Sequence, residues 1–103
     1  MELLTRLRSG ATREELASFC RRHHIRRLSL FGSVLREDFT PRSDLDVLVE
    51  FEPGHVPGLE FVRMRDELSQ LLGRPVDLNT PNSLSRYLRD DVLRQAEPVY
   101  VSA

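Results

Sequence analysis

The chain has no lysine: all 15 of its basic residues are arginine, which excludes any chemistry built on a lysine amine. Arginine-only usage is compatible with genome composition, a hot habitat or a demand for phosphate-binding forks. Cysteine is nearly absent too. Cys20 stands alone, so no internal disulfide can form, and its place in a helical pattern, away from any metal-ligand spacing, makes it a packing residue. Nor is there an excess of either charge. The 15 arginines oppose 16 acids for a net charge of -1, which gives no basic surface for direct nucleic-acid binding. No apolar run approaches the roughly 20 residues of a membrane helix. The opening MELLTRLRSG carries an acid at once and lacks the continuous apolar stretch of a signal peptide, so no membrane association is expected and the cytoplasm is the expected compartment.

What is present suits one globular domain spanning residues 1–103, with 40% hydrophobic and 30% charged residues and no internal repeat. A short helix is expected around Leu3 to Leu7. Thr12 followed by Glu15 makes a capping box that opens a helix to about His24, with Leu16, Phe19 and Cys20 inward. Arg26 to Phe31 reads as a strand, Gly32-Ser33 as the start of a short helix, and Thr40-Pro41-Arg42-Ser43 as a turn before a strand from Leu45 to Phe51. Pro53-Gly54 and Pro57-Gly58 bracket a loop. Leu59 to Leu72 carries Phe61, Met64, Leu68, Leu71 and Leu72 at helical spacing and stops at Gly73. Val76 to Leu78 is a short strand, Ser83 is expected to cap a last helix, and Pro98 to Val101 is a candidate edge strand. The predicted fold is α+β: a small mixed sheet with helices packed against it.

The chemistry concentrates in FGSVLREDFTPRSDLDVLVEF, residues 31–51. Residues i and i+2 of a strand share a face, about 6.6 Å apart, so Asp44 and Asp46 project together. Two carboxylates so close repel unless a cation intervenes, and hard oxygen ligands suit Mg²⁺. Asp77 lies between Val76 and Leu78, so it points away from the face those two bury and can stand beside the pair. Three carboxylates can hold two divalent ions for phosphoryl or nucleotidyl transfer, and Asp77 can also accept the proton of an attacking hydroxyl. Gly32 lets a phosphate approach the backbone, the hydroxyl and amide of Ser33 can bind its oxygens, and Arg36 can neutralise its charge. These parts suit a nucleoside triphosphate with Mg²⁺.

Gly32-Ser33, ten intervening residues and Asp44-Leu45-Asp46 resemble the signature of the polymerase-beta-like nucleotidyltransferase superfamily. LFGSVLREDFTPRSDLDVLVEF resembles its minimal nucleotidyltransferase (MNT) branch in particular, and the resemblance runs on through RPVDLNT to the final helix. It implies that Gly32 and Ser33 hold the triphosphate and that Asp44, Asp46 and Asp77 complete a two-metal site. Many members follow Gly-Ser with a small residue, an arginine and a glycine; here Arg36 matches, but Leu35 and Glu37 flank it. The resemblance further implies an antitoxin, encoded beside a helical HEPN toxin, that transfers AMP from ATP to a tyrosine hydroxyl of that partner. Two alternatives are a non-catalytic antitoxin that masks its partner and a small-molecule nucleotidyltransferase, against which the missing acceptor domain argues.

The remaining polar residues have plainer expectations. Arg36 could equally pair with a nearby acid such as Asp38. Glu50 shares strand parity with Asp46 but lies too far along to bind the same ion. His23, His24 and His55 have no ligand spacing to one another or to Cys20, so no structural zinc site is expected. Leu84, Tyr87 and Leu88 on the last helix are expected in the core.

Overall fold

The structure, a computed structural model, describes residues 12–36, 39–40 and 42–102. The expected helix at Leu3 to Leu7 lies outside them, as do Glu37, Asp38 and Pro41.

Helix α1 (Arg13–Arg22) starts where the capping box predicts: the Thr12 hydroxyl accepts a hydrogen bond from the Glu15 amide at 3.1 Å. Glu14 and Glu15 in its first turn and Arg21 and Arg22 in its last match the helix dipole. Leu16, Phe19 and Cys20, at i, i+3 and i+4, are its buried stripe. Strand β1 (Ile25–Phe31) follows a two-residue turn, and a four-residue 3-10 turn (Gly32–Leu35) follows it, pinned by the fully buried Val34. Strand β2 (Leu45–Phe51) begins and ends as expected. Helix α2 (Glu60–Leu72) buries Met64, Leu68 and Leu72, one turn apart, and ends at Gly73 in the left-handed conformation. Strand β3 (Val76–Asn79), helix α3 (Arg86–Gln95) and strand β4 (Glu97–Val101) complete the order.

The sheet runs β3-β2-β1-β4, with β2 and β3 parallel and the other neighbours antiparallel. The expected edge strand is β4. Alternation along the strands gives the sheet two faces. Leu28 and Leu30 of β1, Leu45, Val47 and Val49 of β2, and Val76 and Leu78 of β3 join the buried residues of α1 and α2 in one cluster. Each of the larger side chains, Phe19 or Leu68 for example, contributes about 1.5–3 kcal/mol by leaving water. Across the top of this layer, Arg22 of α1 donates to both oxygens of Glu67 of α2, at 3.3 and 2.9 Å. By the same alternation Asp46, Leu48 and Glu50, with Asp77 and Asn79, face the opposite side.

Two expectations about the last helix fail. Ser83 does not cap it: Ser83 closes a separate one-turn 3-10 helix by exchanging hydrogen bonds with Thr80, and Ser85 caps α3 by accepting from the Tyr87 amide at 3.2 Å. Nor does α3 enter the core. None of its residues is buried, and Tyr87 and Leu88 are 79% and 57% exposed; Leu84, just before it, is half-buried. What anchors this segment is polar: the Arg89 guanidinium donates to the carbonyls of Pro81 and Leu84 at 2.7 and 3.3 Å. Helical spacing tells which side chains share a face, but not whether another element covers that face.

Candidate active site

Asp46 is the second residue of β2 and is half-buried. The β1–β2 register sets it opposite Phe31, and the β2–β3 register sets it opposite Asp77. Asp77 is exposed between the buried Val76 and Leu78, as its position on the strand predicts. Asp44 lies just before β2, exposed at the end of a tight turn. In that turn the Ser43 hydroxyl accepts from the Thr40 amide at 3.0 Å, and the Ser43 amide donates back to the Thr40 carbonyl at 3.0 Å. The parallel pairing with β3 starts at once, because the Leu45 amide donates to the Pro75 carbonyl at 2.9 Å. Asp44 is thus held where the strand begins.

Burial pushes the Asp46 carboxyl above the usual carboxylate range, and the negative charges of Asp77 and Asp44 push it further; Arg36 opposes them, and a hydrogen bond with Asp77 adds to the rise. The three expected aspartates therefore share one electrostatic site. A carboxyl that resists ionisation because it is buried beside two further acids is one that a divalent cation would relieve, and carboxylate oxygens are the donors Mg²⁺ prefers. The donor set fits that ion.

Gly32 follows Phe31 directly and adopts φ +75°, the left-handed region. A Cβ at this position would overlap a carboxylate oxygen of Asp46. The glycine therefore serves a purpose beyond the phosphate approach expected of it: it leaves room for the aspartate. Ser33 is half-buried within the 3-10 turn. Arg36 stands after that turn rather than inside a longer helix, in extended conformation, its amide donating to the Ser33 carbonyl at 2.9 Å. Its charge acts on Asp46. Arg74 was not singled out from sequence, yet its guanidinium lies 4.4 Å from the centre of the Phe39 ring and donates to the Thr40 carbonyl at 3.4 Å. It braces the segment that leads to Asp44, and nothing in its sequence neighbourhood signals this.

Residues 13–98 match the nucleotidyltransferase domain family. The chain belongs to that family. This nucleotidyltransferase is 40% identical over 81 residues to protein adenylyltransferase MntA of Thermococcus cleftensis, an alignment covering 78% of each protein. It superimposes on a solved structure described as a candidate minimal nucleotidyltransferase with TM-score 0.71 and 42% identity, covering 95% of this chain and 96% of the other. The expected resemblance to the minimal branch and the α+β fold are both borne out. The same fold, at 21% identity and TM-score 0.63, matches a chain in the complex of a tri-AMPylated Shewanella oneidensis HEPN toxin with its MNT antitoxin, over 87% of this nucleotidyltransferase and 70% of that chain.

Proposed function

We propose that this nucleotidyltransferase is an Mg²⁺-dependent protein adenylyltransferase, one minimal domain that moves AMP from ATP onto a tyrosine hydroxyl of a HEPN-type partner in the cytoplasm and so acts as its antitoxin. The observation that carries this reading is the crowding of Asp46 by Asp77 and Asp44 beside the glycine turn. Relatives named as protein adenylyltransferases, and an antitoxin of the same fold seen with an AMPylated toxin, support the choice of nucleotide and partner.

Asp44, Asp46 and Asp77 would hold two Mg²⁺ ions, which when bound supply positive charge against the triphosphate and the leaving pyrophosphate. Gly32 and Ser33 seat the β- and γ-phosphates, and Arg36 offsets their charge. Asp77, the exposed member of the opposed pair, accepts the proton of the acceptor hydroxyl. The hydroxyl oxygen then bonds to the α-phosphorus, the bond from that phosphorus to the bridging oxygen breaks, and pyrophosphate departs.

The test is the intact mass of a HEPN partner after incubation with the protein, ATP and Mg²⁺, beside an Asp44→Asn control. A gain of one or more AMP units with the wild-type protein alone is the expected result. An unmodified partner that still forms a neutralised complex overturns the catalytic reading in favour of masking.

A further inference from the structure

At the end of the sheet away from the aspartates, three residues from two segments converge. His24 closes the turn between α1 and β1, while Glu52 and His55 lie in the loop after β2. Their potential ligand atoms all lie within 4.8 Å of one another, and no other three His, Cys, Asp or Glu side chains among the described residues meet that closely. The two imidazole rings stack with centroids 4.0 Å apart, and His24 Nδ1 lies 3.8 Å from Glu52 Oε2.

The backbone holds this group in place. The Glu52 amide donates to the His24 carbonyl at 2.9 Å, which ties the two segments together. The His55 amide donates to the Glu52 carbonyl at 3.0 Å, and Pro53 followed by Gly54 at φ +82° makes the connection a type II turn. Glu52 and His55 are therefore brought side by side by a rigid turn. His24 itself adopts φ +57°, the one positive φ at a non-glycine residue among those described. Histidine, asparagine and aspartate enter that region more readily than other side chains.

We propose that His24, Glu52 and His55 form a second metal site, selective for a borderline ion such as Zn²⁺ and separate from the carboxylate site. Two imidazoles and one carboxylate are a common three-residue donor set for zinc, with water as fourth ligand, whereas Mg²⁺ prefers oxygen donors throughout. A tetrahedral ion with bonds of about 2.0–2.1 Å needs ligand atoms about 3.3–3.5 Å apart. The side chains must close in slightly, and the stacked rings must tilt so that their in-plane lone pairs converge. His24 and His55 are exposed and free to do so, and Glu52 is half-buried. Bound there, the ion would fasten the turn before β1 to the loop after β2.

The test is calorimetric titration of the metal-stripped, untagged protein with ZnCl₂, repeated with CoCl₂ followed by visible absorption. The Asp44→Asn/Asp46→Asn double variant removes the carboxylate site. The expected result is one equivalent of zinc that the double variant retains, with the strong visible bands of tetrahedral cobalt. His55→Ala, a change in an exposed loop, and His24→Asn, which tolerates the left-handed backbone, should each weaken zinc binding by about 10-fold or more. Zinc should raise the melting temperature of the wild type and not of His55→Ala. Zinc affinity unchanged by His55→Ala, or a zinc equivalent lost in the aspartate double variant alone, overturns the proposal.

Discussion

Asp46 and Asp77 stand directly opposite each other across the parallel β2–β3 pair, and the negative charge of Asp77 adds to burial in holding the Asp46 carboxyl above the usual carboxylate range. Side chains that face one another in this way interact at close range, and like charges there destabilise a sheet. The fold keeps an unfavourable pair at the centre of its candidate site, as expected where a charge supplied from outside completes a site.

This strain has a measurable sign. Because the Asp46 carboxyl lies above its unfolded value, the folded state holds more protons than the unfolded state between the two values. Stability therefore falls as pH rises through that window, and the loss is complete above it. Asp46→Asn removes the charge while keeping the shape. It should raise the melting temperature at pH 7 by roughly 2–6 °C while abolishing AMP transfer. In Mg²⁺ the order should narrow or reverse, since the wild type binds the ion and the variant binds it less well. Scanning calorimetry with and without Mg²⁺ checks both statements; equal melting temperatures in metal-free buffer would remove the repulsion from the account.

Gly32 and Gly73 separate two costs of adding a methyl group. Both have positive φ, but a Cβ at Gly32 meets the Asp46 carboxylate whereas one at Gly73 meets nothing within 4 Å. Gly73→Ala should cost about 1 kcal/mol from backbone strain alone and leave activity unchanged. Gly32→Ala should cost about 2 kcal/mol or more and lower transfer at least about 100-fold by displacing the carboxylate. Urea unfolding and partner mass measurements on the two variants make the comparison.

Cys20 is fully buried, and its thiol is pushed up to about 12 by burial, which the charge of Arg21 offsets only in part. The thiolate that reacts with disulfide and maleimide reagents is therefore scarce and inaccessible. Native protein should resist labelling at pH 8, and label should enter at the rate at which the chain opens. Rapid labelling under native conditions would show that α1 leaves the sheet more readily than its packing implies.

Much of this protein is legible along the chain because its signals are local. The Thr12–Glu15 box, the apolar turns of α2, the stop at Gly73 and the alternation along β3 each span a few residues, and backbone geometry converts such spacings directly into shared faces. Asp44 departs from the strand parity expected of it, because it sits in the turn before β2 and not on the strand. On β3 the parity argument turned Asp77 outward between Val76 and Leu78, where it is found. The reading of α3 failed for the complementary reason. Leu84, Tyr87 and Leu88 make a plausible buried stripe, but burial needs a second surface, and the core cluster is built from α1, α2 and the strands while Tyr87 and Leu88 stay exposed.

By itself, then, the sequence determined the donor types, their local faces and the nucleotidyltransferase signature, because these depend on residue chemistry and on periods of two and 3.6. The tertiary structure alone decided which distant residues meet. It brought Asp77 opposite Asp46 through strand register, set Gly32 under the Asp46 carboxylate, and drew His24 to His55 across a hydrogen bond between two loops. Strand pairing and turn closure act between positions far apart in the chain, so no local spacing encodes them.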